Sequence, residues 1–193
     1  MTCILLSAGL SERFGSPKAL ARIGNSPVIE LVQNTLLQSS CDKIIVVLGA
    51  HAREIQPSIF IHKRIQIVYN KDYYLGQTSS IQAGWRQADG DSGGMMFLPV
   101  DCPLLKSSSI NAIIDHFKEH EPDILIPTYQ DKKGHPPVFH QRLTSKIIGL
   151  PASLGINSLF TEYPPQLIEI DDAGIVKSFN TQEEFEAIRR GGF

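Results

Sequence analysis

The chain has 193 residues, 42% of them hydrophobic and 20% charged, a length that suits one domain over residues 1–193 with a self-sufficient core. Its formal charge of −2 excludes sequence-independent attraction to nucleic acid or an anionic membrane, so any polyanionic ligand must be held by a local cluster. Cys3, Cys41 and Cys102 show neither C-x-x-C nor metal-ligand spacing, and no leader or apolar run of membrane-spanning length stands out. A reducing cytoplasm is the expectation.

The pattern predicts alternating strands and helices, the signature of a sheet wrapped by helices. Cys3 to Leu6 is a short apolar run and reads as a buried first strand. It stops at Ser7-Ala8-Gly9, small residues that let backbone N–H groups turn inward. Ser11, Arg13 and Lys18 follow. A strand, a small-residue turn, a hydroxyl and two cations make a cradle for phosphate; the alternative is a tight strand-to-helix turn with surface cations. Neither the P-loop spacing nor G-x-G-x-x-G is present.

Val28, Ile29, Leu31, Val32, Leu36 and Leu37 predict an amphipathic helix over 27–40, with Pro27 in its first turn. Lys43 to Leu48 is a β-branched run expected as a central parallel strand, and Ile65 to Tyr69 a shorter one. Gly49-Ala50-His51 ends the former. Thr78, Ser79 or Ser80 is expected to cap a helix reaching about Ala88. A solvent loop over Asp89 to Gly94, a strand over Met95 to Val100 and a helix over Ser107 to His120 come next. Asp123 to Pro127 reads as a strand, Tyr129 to Val138 as a loop and Gln141 to Leu150 as a helix. Gln166 to Ile170 is expected as a strand whose Asp171-Asp172-Ala173-Gly174 turn opens a hairpin to Ile175-Val176. The closing helix, Thr181 to Arg190, begins with the capping-box pattern Thr181-Gln182-Glu183-Glu184.

Asp101 directly follows an apolar strand, facing the crevice where open α/β sheets bind ligands. Its hard oxygens suit Mg2+ together with substrate phosphates; a turn or helix-cap aspartate is the alternative. Thr78-Ser79-Ser80 offers more hydroxyls than one cap needs, enough to read a ribose or a base edge.

Leu6 to Lys18 spells L-x-A-G-x-S-x-R-x-G-x-x-K, which resembles the start of the nucleotidyltransferases that act on the molybdenum cofactor. Three further blocks resemble that family in order: Gly76 to Gly84, Asp101-Cys102-Pro103 after its strand, and Gly134-His135-Pro136. The resemblance implies a Rossmann-like α/β fold of the nucleotide-diphospho-sugar transferase type, with a mostly parallel sheet between helices on both faces, three layers in all. It implies NMP transfer from an NTP with Mg2+, releasing pyrophosphate. Arg13, Lys18 and Asp101 would be catalytic. Leu6, Ser7, Ala8, Gly9, Ser11, Gly49, Thr78, Ser79 and Ser80 would join them around the nucleotide, and Lys133, Gly134 and His135 would meet the acceptor. Asp101 and Asn180 would hold the metal, although Asn180-Thr181 is also a plain helix cap. Cys102 departs from the pattern, which often has another polar residue there, and Lys133 stands where Arg is frequent.

Ala8 resembles the CTP-using branch, where the GTP-using branch has Gly, so CTP is favoured as donor and molybdenum cofactor (molybdopterin) as acceptor. A recipient molybdoenzyme fits the same picture. Tyr73, Tyr74, Trp85 and Phe139 are candidates for an aromatic acceptor pocket. The competing readings are a transferase for a sugar phosphate or another small phosphate, and a non-catalytic nucleotide or cofactor carrier.

Overall fold

The computed structural model describes residues 1–88 and 93–191; of the expected Asp89 to Gly94 loop, residues 89–92 lie outside them. In chain order the elements are β1 (Thr2–Ser7), β2 (Arg22–Ile23), β3 (Ser26–Pro27), α1 (Val28–Gln38), β4 (Lys43–Leu48), α2 (Ala52–Ile55), β5 (Ile65–Tyr69) and α3 (Gln77–Trp85). They continue with β6 (Gly94–Pro99), α4 (Ser107–His120), β7 (Ile124–Tyr129), β8 (Lys132–Lys133), β9 (Val138–His140), α5 (Thr144–Gly149), β10 (Gln166–Glu169) and α6 (Gln182–Arg190).

The main sheet runs β10-β7-β9-β6-β1-β4-β5, with β8 on β7. β1 pairs in parallel with both β4 and β6, and β4 with β5. β1, β4 and β6 are buried on both faces, which is why they read as apolar runs, while β5 at the end of the sheet is only half-buried. Successive side chains alternate between two cores. Cys3, Leu5, Ile44 and Val46 pack with α1 and α4 through Val32, Leu36, Ile110 and Ile114. Ile4, Leu6, Ile45 and Val47 pack with α3 and α5 through Ile81, Trp85 and Ile147. The sheet therefore lies between helices on both faces, a Rossmann-like three-layer arrangement.

From β1 the chain steps one way to β4 and β5, then returns to place β6 on β1's other side. That reversal opens a crevice at the carboxyl ends of β1 and β6. Leu6 is level with Pro99, and the Val100 N–H donates to the Leu6 carbonyl at 3.1 Å. The loops carrying Ser7 and Asp101 thus leave the sheet side by side.

Several boundaries differ from expectation for physical reasons. Pro27 precedes α1 as its N-cap instead of lying in the first turn. The N-cap of α3 is Gly76, without a side-chain cap bond, so Thr78, Ser79 and Ser80 lie inside the first turns, and the helix ends at Trp85. The expected Tyr129 to Val138 loop contains β8, and β9 inserts antiparallel between β6 and β7. No hairpin follows β10; Ala173–Val176 is a short 3-10 helix. Asp172 is buried there and accepts from Lys106 N (3.1 Å), Ser109 Oγ (2.7 Å) and Gly174 N (2.9 Å). It caps the start of α4 from afar, which ties this segment down and leaves no free turn for a strand. The region expected to be helical over Gln141 to Leu150 splits into a 3-10 turn and α5.

α3 presses on the sheet at Gly84, where a Cβ would lie 2.6 Å from Ile4 Cγ2 and 3.0 Å from Val47 Cγ2. Gly84→Val is expected to overpack this contact and cost about 2–3 kcal/mol, read as a lower urea midpoint at unchanged m-value.

Candidate nucleotidyltransfer site

β1 delivers Ser7 to the crevice, and the following loop wraps back across it. Ser11 adopts φ 55° and its backbone carbonyl accepts from Phe14 N (3.0 Å) and Gly15 N (2.9 Å). A serine in this left-handed conformation costs on the order of 1 kcal/mol, offset here by the turn it closes. Its hydroxyl accepts from Lys18 N at 3.3 Å, fixing the start of the Lys18–Leu20 3-10 turn. Behind the loop the Ala50 N–H donates to the Ala8 carbonyl at 3.1 Å, and a Cβ at Gly49 would sit 2.5 Å from that same oxygen. His51 braces the loop from outside through Nε2 to the Leu10 carbonyl (3.1 Å) and Nδ1 to Glu54 (3.1 Å).

The charged centre is built from three segments far apart in sequence. Lys18 Nζ donates to Asp101 Oδ2 at 2.7 Å and to Asn180 Oδ1 at 2.9 Å. Arg13 Nη2 donates to the same Asn180 oxygen at 3.1 Å. The Lys18 and Asp101 side chains are only 15% and 16% exposed, so their pairing is screened less than a surface ion pair. Asp101 Oδ1 faces the Cys102 thiol at 3.8 Å, and burial beside that carboxylate pushes the thiol well above its ordinary pKa. Asn180 is held by its backbone: its N–H donates to Glu184 Oε2 at 2.5 Å. Glu184 closes a capping box with Thr181 at the start of α6, as the sequence pattern predicts.

These groups line a cavity of about 410 Å³, open on one side, at the carboxyl edge of the sheet. Leu6, Ser7, Ala8, Gly9, Ser11, Arg13, Lys18, Ser80, Asp101 and Asn180 all contribute to its wall. Ser7 Oγ is buried with no hydrogen-bond partner, an unsatisfied hydroxyl that a ligand would complete. Gly49, Thr78 and Ser79 do not line it. The Thr78 hydroxyl donates to the Leu154 carbonyl (2.6 Å), and that of Ser79 to the carbonyls of Asp72 (2.8 Å) and Gly76 (2.7 Å). Asn70 Nδ2 donates to Ser79 (2.9 Å) and Ser80 (3.0 Å), leaving the Ser80 proton free.

Gln77, Tyr73 and Tyr74 also line the cavity. Gln77 lies within the Gly76 to Gly84 block read from the sequence, where only its hydroxylated neighbours are singled out; its place in the first turn of α3 brings it to the cavity wall. Of the aromatic candidates, Trp85 and Phe139 are core: they are 3% and 0% exposed, and Trp85 Nε1 donates to Thr144 Oγ1 at 3.1 Å.

Lys133, Gly134 and His135 lie outside this cavity wall. Lys133 Nζ stands over the Phe160 ring at 5.8 Å, and the Gly134 and His135 N–H groups donate to Pro127 (2.8 Å) and Ile175 (2.7 Å) carbonyls. His135 Nδ1 is buried and unpartnered. Burial lowers the His135 pKa and the Asp101 carboxylate partly opposes that, so the ring is neutral at pH 7 and lies within the electrostatic reach of Asp101.

Two oxygens of different segments, Asp101 Oδ2 and Asn180 Oδ1, converge on one ammonium, the donor chemistry that Mg2+ or Mn2+ also takes. The residues fit such an ion. Among the described residues no group of three His, Cys, Asp or Glu side chains gathers to hold a metal, so phosphate and water would supply its other ligands.

Residues 3–167 match the MobA-like NTP transferase domain. The chain belongs to that family. Its relatives include the bifunctional protein GlmU of Streptococcus pyogenes, 26% identical over 96% of this chain but only 43% of the relative. The chain thus spans less than half the length of the GlmU relatives it matches. The molybdenum cofactor cytidylyltransferase of Escherichia coli is 22% identical over 95% of this chain and 92% of its own. Nicotine blue oxidoreductase of Paenarthrobacter nicotinovorans is 26% identical over 89% and 86%. Among solved structures, an Rv0371c homolog from Mycobacterium sp. strain JC1 superposes with TM-score 0.87 at 23% identity, covering 98% and 95%. Rv0371C of Mycobacterium tuberculosis in complex with manganese does so at 0.82 and 18%, covering 99% and 98%. No helix among the described residues is long and apolar enough to cross a membrane.

The capping box gives a pH test of how Asn180 is held. Hydrogen bonds from the Asn180 and Thr181 N–H groups lower the Glu184 pKa. Its contribution is therefore present above the ordinary glutamate pKa and is lost as pH falls through the depressed folded value. The stability difference between wild type and Glu184→Gln should be constant near neutrality and shrink below about pH 4, followed by urea unfolding across pH.

Proposed function

We propose that the protein transfers NMP, with CMP favoured, from CTP onto the phosphate of molybdenum cofactor (molybdopterin), releasing pyrophosphate. The observation that carries this reading is the convergence of Arg13, Lys18, Asp101 and Asn180 on one cavity at the switch point of the sheet. Nucleotidyl transfer asks little covalent work of a protein; it requires in-line positioning and neutralisation of charge on the phosphate oxygens. The inward N–H groups of the Ser7 to Gly9 turn and the Ser7 and Ser11 hydroxyls would cradle the phosphates. The Arg13 guanidinium and Lys18 ammonium would neutralise them and the leaving pyrophosphate. Asp101 and Asn180 would hold a Mg2+ ion, which would supply Lewis-acid neutralisation of the phosphate charge.

Ser80, Gln77 and the cavity-facing Ala8 would meet the nucleoside, while Thr78, Ser79 and Gly49 hold that wall from behind. The Ala8 methyl, compared with glycine, shifts base discrimination by about 1–3 kcal/mol, in the direction that favours CTP. Lys133, Gly134 and neutral His135, with its unpartnered Nδ1, would serve the acceptor side, and Tyr73 and Tyr74 would supply aromatic surface for a pterin. The domain over residues 1–193 would work in the cytoplasm, where the free thiols of Cys3, Cys41 and Cys102 persist, and would hand its product to a molybdoenzyme. A sugar phosphate or another small phosphate is the second acceptor class. A non-catalytic carrier would have no need for two cations and a carboxylate at one cavity.

Pyrophosphate release from each of the four NTPs, with Mg2+ and with molybdenum cofactor or a sugar phosphate, separates these readings. Cofactor-dependent release with CTP, falling about 10²–10³-fold in Asp101→Ala, is the expected outcome. Release with GTP instead would overturn the inference from Ala8, and release only with the sugar phosphate would overturn the pterin acceptor.

A further inference from the structure

Resting on the metal assignment above, the geometry points to Lys18 as the gate of its own metal site: its ammonium holds both oxygens that the divalent cation would take. Ammonium and cation compete for the same pair of ligands. Lys18 Nζ lies 2.7 Å from Asp101 Oδ2 and 2.9 Å from Asn180 Oδ1, the two oxygens available to a metal. The other carboxylate oxygen, Oδ1, faces the Cys102 thiol at 3.8 Å. Asn180 Oδ1 already accepts from Arg13 as well, at 3.1 Å. A hydrated divalent ion arriving alone must therefore expel a charge that is already desolvated and paired.

A triphosphate changes that competition. It offers the Lys18 ammonium a more highly charged partner within the same cavity, and Lys18 turning to it uncovers Asp101 Oδ2 and Asn180 Oδ1 together. Cation and nucleotide then bind cooperatively, and by linkage each raises the affinity of the other by the same factor. The lysine thereby keeps the empty site free of stray divalent ions, and it keeps Asp101 from standing as an uncompensated buried charge. This ordering is distinct from the role of Lys18 on the phosphates, because it acts before any phosphate is present.

The test is a titration of nucleotide-free protein with Mn2+, following free Mn2+ by electron paramagnetic resonance. Lys18→Met, which keeps the stem and removes the charge, should bind Mn2+ at least about tenfold more tightly than wild type. Lys18→Gln should do the same, and serves if the methionine variant is too unstable without metal. The added stability on Mn2+ addition, read by thermal melting, should be larger in either variant than in wild type. Asp101→Asn placed on Lys18→Met should abolish the gain. If Lys18→Met and Lys18→Gln bind Mn2+ no better than wild type, while Asp101→Asn still weakens binding, Lys18 is no gate although the metal site stands. If Asp101→Asn leaves Mn2+ binding unchanged in every background, the ion sits elsewhere and the metal assignment itself falls.

Discussion

The structure depends on one ammonium group held between a carboxylate and an amide oxygen. Lys18 comes from the loop after β1, Asp101 from the end of β6, and Asn180 from the turn before α6. A fold that misplaced either of the first two segments would leave a mostly buried charge unpaired, a cost of several kcal/mol. The parallel register of β1 with β6 sets the first two within reach, and the capping box at α6 sets the third. The charged centre is thus a consequence of strand order and of one helix cap, and it in turn ties the end of the chain to its beginning. Gln182 Nε2 donating to the Phe14 carbonyl at 2.9 Å, and Phe14 packed against Phe179 at 5.2 Å, reinforce that closure.

The cavity wall is held by polar contacts behind it, with the Ser7 to Gly9 turn braced by Ala50 and His51, and the first turn of α3 braced by Asn70. The Gly134-His135 segment lies outside that wall, tied by backbone hydrogen bonds to Pro127 and Ile175, and carries an unpartnered imidazole nitrogen.

Much of this was legible in the sequence, and the reasons for the exceptions are physical. The run Lys43 to Leu48 and the helix Ser107 to His120 match β4 and α4 to the residue, because continuous β-branched burial and a clear apolar stripe leave little ambiguity; Ile65 to Tyr69 matches β5 as well, although that strand is only half-buried. β9 was unreadable: three residues carry no periodicity, and their strand state comes from being wedged between β6 and β7. The Asp172 segment looked like a hairpin turn because nothing local shows that its carboxylate serves α4, more than sixty residues away in sequence. Thr78, Ser79 and Ser80 looked alike as letters, yet successive residues of a helix point about 100° apart, so three consecutive hydroxyls cannot share one view. Only Ser80 turns toward the cavity. The gathering of Arg13, Lys18 and Asp101 was foreseen from spacing and strand position, but Asn180 could be joined to them only through the resemblance of the whole pattern.

The insertion of β9 separates what is fixed from what is free. With β8 it runs antiparallel beside the parallel strands, so the excursion from Tyr129 to Val138 begins and ends at fixed points of the sheet. Gly134 and His135 are tied to Pro127 and Ile175, but the tip at residues 130–133 is exposed. That tip can be recoloured in charge while the strands that carry Ser7 and Asp101 keep their register.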